Sequence, residues 1–210
     1  ASVITGLLLW LPNTREQAEL SVREGFLVVT LFWVVLSLFS AIPFIVGLHL
    51  DLTDAMFEAV SGFTTTGATV IIGLDELPKS LLYHRHQLHF LGGMGIIVLD
   101  VAVLPLLGVG GMQLYRAEAS SVSRQDKLTP RIAETARLLW SIYFMLTLLC
   151  AVSFWAAGMS LFDAICHAYA AVGTGGVSTH DASIAFFNSP TIELIAIVFM
   201  LAGGLNFAVH

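Results

Sequence analysis

The chain has 210 residues, of which 57% are hydrophobic and only 11% are charged, and its mean hydropathy is +0.85. Soluble domains carry about 25% charged residues, so this composition indicates an integral membrane protein. The net charge of −6 and the lack of a basic patch with interleaved aromatic residues exclude a nucleic-acid-binding protein.

Four apolar segments are long enough to be membrane helices, since about 20 apolar residues cross the hydrocarbon core. In chain order they are residues 26–50, 87–114, 138–162 and 192–209. The second contains Asp100 about midway, where a charge costs about 2.5–3.5 kcal/mol on insertion scales. We therefore expect the Asp100 carboxyl to face protein or pore water, or to be protonated. The alternative is a tolerated variant beside a packing defect.

Residues 52–77, between the first two spans, predict a segment that enters the membrane without crossing it. The stretch "LTDAMFEAVSGF" predicts a helix with Thr53 as its N-cap. At 1.5 Å per residue such a helix is about 15–18 Å long, which is half a bilayer. The polar, glycine-bearing loop "TTTGAT" follows, and irregular backbone at membrane depth is tolerated only where protein buries it or water lines it. An ordinary helix-connecting turn is the alternative.

The same order of elements occurs twice, 109 residues apart, as Leu52 and Leu161 show. "LDLTDAMFEAVSGFTTTG" at 50–67 aligns with "MSLFDAICHAYAAVGTGG" at 159–176, and each loop is followed by an apolar helix with an entering Gly-Gly pair, at 92–93 and 203–204. The identical positions are Leu52/Leu161, Asp54/Asp163, Ala55/Ala164, Ala59/Ala168, Thr65/Thr174 and Gly67/Gly176. We interpret the pattern as two copies of one helix–pore loop–helix unit.

The predicted organisation has four parts. They are the end of a preceding helix with a cytoplasmic loop at 1–24, a first unit at 25–115, a cytoplasmic loop at 116–137, and a second unit at 138–210 that is cut short at its C-terminus. Seven of the nine Lys and Arg residues lie at 15–23 and 116–137, and cytoplasmic loops carry such an excess. The opposite, external side is then expected to hold Asp51, Asp75, Glu76, Lys79 and Arg85.

Several other polar residues have two interpretations. Three histidines, His84, His86 and His89, predict an external or interfacial cluster, with a metal site as the alternative. Asp181 follows the second loop, where it would either draw cations from outside or cap the start of a helix. Cys150 and Cys166 are expected to be small buried side chains rather than a disulfide. No Ser/His, Asp/Asp or HExxH arrangement falls on facing helices, which disfavours an intramembrane enzyme.

The two loops have the composition of a cation site built from backbone. Inward-facing carbonyls can replace the water around a cation, and they need backbone angles that a Cβ resists, so glycine is required. Potassium suits neutral oxygens without carboxylates. The loops contain no ring of acidic residues of the kind that would indicate a divalent ion.

Three stretches, "SGFTTTGAT", "HFLGGMGIIVLDVAVLPLLGVGGMQLYRAE" and "GGVSTHDAS", make nearly the whole chain resemble the TrkH branch of the Trk/Ktr/HKT potassium transporters. The resemblance implies an all-α membrane protein with a potassium-channel-like pore of four helix–re-entrant pore loop–helix repeats. About half of that four-repeat subunit is present here, without the broken helix of the third repeat that gates the pore. By motif, the implied potassium filter consists of Thr65, Thr66, Gly67, Ala68, Thr174, Gly175, Gly176 and Val177.

The function that this resemblance implies is potassium uptake across the bacterial cytoplasmic (inner) membrane by a multi-pass protein. Potassium is the transported ion, and neither an organic cofactor nor an enzymatic activity is expected. The implied partners are membrane lipids, a second full subunit in a homodimer, and a cytosolic nucleotide-binding regulatory subunit of TrkA type, with no nucleic acid. The alternative is a non-conducting, truncated membrane paralogue with a structural or assembly role.

Overall fold

A computed structural model describes residues 22–102 and 125–204, and these residues form helices and turns without a strand. The α-helices are α1 (Val22–Leu48), α2 (Leu52–Phe63), α3 (Lys79–Ala102), α4 (Gln125–Ala156), α5 (Leu161–Val172) and α6 (Pro190–Gly204). Short 3-10 turns lie at Leu74–Glu76 and Ser183–Phe187, after the loops that follow α2 and α5. The fold is therefore all-α across the described ranges, as predicted.

Among residues 22–102 and 125–204, two helices are long and apolar enough to cross a membrane, by length and composition: Thr30–Leu48 within α1 and Ala136–Ala156 within α4. Both expose large apolar side chains, among them Leu31, Phe32, Phe144 and Trp155. Apolar surface of this extent is typical of helices that face lipid. The side chain of Asp100 lies outside the described residues, so its expected environment stays a prediction.

The largest differences between the helix ends and the predicted spans concern α3, α4 and α5. The helix predicted at 138–162 is two helices, because α4 ends at Ala156 and Gly158, with φ +106, turns the chain into α5. At its other end α4 begins at Gln125, so residues 125–137 of the predicted loop are helical. The third helix begins at Lys79 rather than at 87, and the polar side chains of Arg85, His86 and His89 in its first half are buried inside the protein.

The two half-length helices have the same length and occupy equivalent positions in the two units. Each has 12 residues, about 18 Å at 1.5 Å per residue, and α5 begins 109 residues after α2. The N-cap of α2 is Asp51, whose Oδ1 accepts from Asp54 N at 2.8 Å, and not Thr53 as predicted. The N-cap of α5 is Ser160, at the position equivalent to Asp51, and its Oγ accepts from the Asp163 N–H at 3.1 Å. The sequence repeat is thus accompanied by equal helix lengths and equal capping.

Helix α3 lies between the two half-length helices and positions both loops, because it packs on α2, α4 and α5. Glycine allows its approach to α2: a Cβ at Gly92 would lie 2.0 Å from Phe63 O. The equivalent contact joins α6 to α5, where a Cβ at Gly203 would lie 2.3 Å from Val172 O. These glycines are close-packing positions that seat each long helix against the end of a half-length helix.

Candidate functional site

The two loops that leave α2 and α5 share an unusual backbone. Thr65 and Thr174 both have φ +53, and two residues later Gly67 and Gly176 have φ +76 and +71. A β-branched residue with positive φ is an outlier, and this backbone conformation costs on the order of 1–3 kcal/mol of folding free energy. Because the same departure occurs at equivalent positions, the strain is a property of these loops. Strain of this kind clusters at functional sites.

Matching hydrogen bonds hold both loops to their helices. In the first loop, Thr65 N donates to Gly62 O at 3.1 Å and Thr66 N donates to Ser61 O at 3.0 Å. In the second loop, the equivalent bonds run from Thr174 N to Ala171 O at 3.1 Å and from Gly175 N to Ala170 O at 2.9 Å. These bonds satisfy carbonyls at the helix C-terminus that would otherwise lack a partner. The chain is therefore directed into each loop in the same way.

The loops touch each other at Gly67 and Gly175. A Cβ at Gly67 would lie 1.8 Å from Gly175 O, which is closer than two non-bonded atoms can approach. Position 67 therefore requires glycine for two reasons, the positive φ and the neighbouring carbonyl. At Gly176 a Cβ would meet nothing within 4 Å, so the positive φ alone favours glycine there.

All eight residues predicted for the filter lie on these two adjoining loops. Thr66, Ala68, Thr174 and Gly176 are exposed, Thr65 and Gly67 are half-buried, and Gly175 and Val177 are buried. One of the predicted carbonyls is already engaged, because Ser61 Oγ donates to Ala68 O at 2.7 Å. The structure brings the set together, and the role of the set in binding an ion stays a prediction.

A buried carboxylate supports the first loop from behind. Glu58 on α2 is 2% exposed, and its Oε1 accepts from Thr69 Oγ1 at 2.5 Å, Val70 N at 2.7 Å and Ile71 N at 3.3 Å. Its Oε2 lies 3.3 Å from Nε of Arg85, which is 3% exposed. The charge of Glu58 is thereby paired with the charge of Arg85 inside the protein.

Arg85 also reaches the second loop, because its Nη1 donates to Ser178 O at 3.3 Å. One guanidinium on α3 therefore connects the carboxylate that holds the first loop to the backbone of the second. The predicted location of Arg85 on the external side of the membrane stays a prediction, but the sequence did not predict that its side chain is buried against α2 and the second loop. The available signal was Glu58, an acid in the second half of a half-length helix, which requires a partner if it is buried.

An imidazole supports the second loop at the position where the first has a carboxylate. His167 lies 109 residues after Glu58, and its Nε2 is 2.9 Å from Oγ of Ser178. Its Nδ1 is 2.8 Å from Asp163 O. Since a carbonyl only accepts, Nδ1 carries the proton and Nε2 of the neutral ring accepts from Ser178. The two loops thus share a design in which a half-length helix supplies the support, with different chemistry in each.

Two of the three histidines of α3 are buried inside the protein, and the predicted external or interfacial location of the three stays a prediction. His86 and His89 are 0% and 1% exposed, and His84 is half-buried with its Nε2 3.0 Å from Ser40 O. Across residues 22–102 and 125–204, no group of three or more His, Cys, Asp or Glu side chains is placed to hold a metal ion. Cys150 and Cys166 are free and buried, as predicted.

A polar clamp joins the two chain segments beyond the loops. His180 is paired through Nδ1 with Asp75, and its ring stacks on Phe186 with centroids 3.5 Å apart. Asp181 Oδ1 accepts from Gly73 N and Leu74 N, both at 3.1 Å. Asp181 therefore binds the first N–H groups of the 3-10 turn that follows the first loop, and it does not cap the turn after its own loop, whose N-cap is Ala182. The hydrogen bond from His180 is the main cause that lowers the pKa of the Asp75 carboxyl below 3.8.

Replacing Asp75 by asparagine is expected to lower the thermal stability at pH 5 and to have less effect at pH 3. A carboxyl whose pKa is lowered on folding stabilises the protein above its unfolded value of 3.8, and this contribution is lost as the pH falls through the folded pKa. Unfolding temperatures of both proteins at the two pH values test this. An equal difference at pH 3 would show that the ionised carboxylate is not the cause.

Long apolar helices around paired half-length helices, whose strained loops meet, define an all-α membrane protein. The chain belongs to the TrkH family of cation transport proteins, whose sequence pattern matches residues 1–210. The predicted family is therefore confirmed.

Individual relatives agree with this assignment. The chain is 56% identical over 207 residues to the Trk system potassium uptake protein TrkH of Escherichia coli, covering 98% of this chain and 43% of that protein. The TrkH of Halomonas elongata is 54% identical over 211 residues, covering 100% and 44%. The crystal structure of the potassium transporter TrkH from Vibrio parahaemolyticus superposes with a TM-score of 0.85 at 50% identity, covering 99% and 41%. The chain thus spans less than half the length of these relatives.

Proposed function

We propose that the chain forms part of a potassium-uptake pore, and that residues 65–68 and 174–177 contribute backbone carbonyls to its selectivity filter. The observation that carries this proposal is the pair of equivalent, strained backbones at Thr65–Gly67 and Thr174–Gly176, which meet at a backbone contact. Ordinary helix-connecting turns have no reason to repeat such strain. The relatives named as potassium transporters support potassium as the ion.

The electrostatics of the two loops suit a monovalent cation. Each loop follows the C-terminus of a half-length helix, where the helix dipole places about half a negative charge. Glu58, the buried acid that accepts from the backbone of Val70 and Ile71, is neutralised by Arg85. A cation at the loops would therefore meet partial negative charges of carbonyls and helix ends rather than a full carboxylate. Neutral oxygens of this kind replace the hydration shell of potassium.

Two loops surround only part of an ion. We propose that the units at 25–115 and 138–210 supply two of four repeats around a pore, as the family resemblance implies. The same resemblance supports a multi-pass protein of the bacterial inner membrane in contact with lipid, which dimerises and binds a TrkA-type regulatory subunit. It gives no reason to expect an enzyme or an organic cofactor. The alternative, a non-conducting paralogue, predicts the same fold without ion flux.

Flux measurements separate the two functions. The full gene product, reconstituted into liposomes, is expected to pass rubidium or thallium and to discriminate against sodium. Liposomes that received the same detergent treatment without protein give the background. A correctly folded gene product that shows no flux above this background would refute the transport proposal and favour the structural role.

Residues 1–210 alone are expected to give no potassium-selective flux. With two loops, one side of the ion would face lipid, which is costly, or open water, which gives no selectivity. Two copies of the chain would restore four loops only if their contact surfaces were self-complementary, as twofold symmetry requires. The loop sequences "TTTGAT" and "GTGGVS" already differ between the units, which argues against such self-pairing.

The comparison for this prediction is the same segment continued by two further repeats, reconstituted at equal protein density. That longer chain should conduct, while the 210-residue chain should match empty liposomes. Selective flux from residues 1–210 would demonstrate a homodimeric pore and overturn the four-repeat arrangement.

A further inference from the structure

His89 of α3 is a buried polar side chain with no hydrogen-bond partner for its Nδ1 among the described residues. The ring is 1% exposed. A buried polar atom without a partner is rare, and each one requires an explanation. Its surroundings supply one: a Cβ at Gly175 would lie 1.8 Å from His89 Nδ1 and 2.5 Å from Cε1. The imidazole therefore occupies the space that any side chain at position 175 would take.

This contact accounts for a difference between the loops. Gly175 is equivalent to Thr66, which is exposed in the first loop, whereas Gly175 is buried. Gly175 is not one of the described glycines with positive φ, so its backbone does not demand glycine. The requirement comes from space, because the ring of His89 fills the position that a threonine side chain would have in the second loop.

The contact continues from the second loop to the first. Gly175 O lies where a Cβ of Gly67 would be, at 1.8 Å. Imidazole, Gly175 and Gly67 thus form one stack that starts at α3 and ends at the first loop. Close-packed groups of this kind transmit a displacement to their neighbours, since the interior has few voids to absorb it.

A second side chain of α3 contacts the same loop one helical turn away. Arg85 and His89 are four residues apart and so share a helix face. Arg85 holds Ser178 O by a hydrogen bond, and His89 abuts Gly175. The second loop is therefore fixed from α3 at two points, one polar and one steric.

We propose that His89 is a positioning residue for ion selectivity, which presses the second loop onto the first and sets the distance between their carbonyls. The proposal rests on the proposed function, because selectivity is its readout. Its distinctive claim is that His89 and Gly175 are a complementary pair, a ring facing a missing side chain. A substitution at either position is then expected to be less harmful when the other position has also been substituted than in the native protein.

A double-mutant cycle in the full gene product tests the pair. His89→Ala leaves a gap behind the second loop, and Gly175→Ala forces that loop away from the ring. Each single change is expected to lower the rubidium-over-sodium flux ratio about tenfold, equivalent to about 1.4 kcal/mol. The double variant is expected to recover most of the ratio, because the new methyl group enters the space that the imidazole has left.

The unfolding temperature of the four proteins provides a second cycle that does not depend on flux. Gly175→Ala should lower it, and adding His89→Ala should raise it again. The matched control is His84→Ala on the same helix, whose ring is directed to Ser40 and not to a loop. This control is expected to leave the flux ratio unchanged.

The outcomes separate this inference from the proposed function. Suppose that the native protein is selective and that the flux ratio of the double variant falls by the product of the two single effects. This outcome refutes the role of His89 and leaves the proposed function standing. A native protein without selective flux refutes the proposed function and with it the selectivity role, while the stability cycle still decides whether the two positions are coupled. Recovery in both cycles supports the positioning role.

Discussion

Alanine at Gly67 is expected to reduce potassium-over-sodium selectivity on the order of a hundredfold, by analogy with the loss of rate that a misplacement of about 1 Å causes in an enzyme. Two effects combine there. A left-handed backbone costs an L-residue roughly 1–2 kcal/mol, and the new Cβ would lie 1.8 Å from Gly175 O. Because the obstructing atom belongs to the backbone, no change of side-chain rotamer relieves the clash, and one of the two loops has to move.

Alanine at Gly176 separates these effects. Its φ of +71 carries the same strain, but a Cβ there meets nothing within 4 Å. The loss of selectivity should therefore be smaller, about tenfold for roughly 1.4 kcal/mol of strain. Rubidium and sodium fluxes of both variants in the full gene product measure the difference.

Gly158→Ala is the matched control for strain outside the loops. Gly158 has φ +106 and open space around its Cα, and it lies in the turn between α4 and α5. It should lower stability without changing selectivity. Unchanged selectivity in Gly67→Ala and Gly176→Ala together would refute the filter assignment, and a larger effect at Gly176 would refute the contact between the loops.

The sequence predicted those features that depend on local pattern. Runs of apolar residues predicted α1 and the membrane-crossing part of α4, because helices that face lipid must be apolar over their whole length. The repeat predicted two half-length helices of equal size, and the glycines predicted positive φ at 67 and 176. Positive φ at Thr65 and Thr174 was not predictable from residue type, because threonine disfavours that region.

The features that the sequence did not predict depend on contacts between distant residues. "KSLLYHRHQLHF" is polar enough to be mistaken for an aqueous segment, yet it forms the first half of α3 and buries Arg85, His86 and His89 inside the protein. It can do so because Arg85 meets Glu58, 27 residues earlier, and Ser178, 93 residues later. A window that averages hydropathy along the chain cannot register such pairing. The burial of Arg85 and His89 therefore required the tertiary structure.

Breaking the Glu58–Arg85 pair at one end is expected to destabilise the protein strongly. Arg85→Met leaves the carboxylate of Glu58, 2% exposed, without its cationic partner. Removing one member of a buried ion pair typically costs about 3–5 kcal/mol, because the remaining charge is desolvated and unpaired. Unfolding of the purified protein, followed with temperature or denaturant, measures this loss.

The double variant Glu58→Gln/Arg85→Met should regain most of that stability, since no charge then remains buried and the glutamine oxygen can still accept from the N–H groups of Val70 and Ile71. Replacing the exposed Arg137 by methionine removes the same charge at the surface and is expected to change stability by less than about 0.5 kcal/mol. If the double variant is no more stable than Arg85→Met alone, the loss comes from the bond between Arg85 and Ser178 O rather than from an unpaired charge. Arg85 would then act mainly as a tie between α3 and the second loop, and the neutralisation of Glu58 would not explain why the guanidinium is buried.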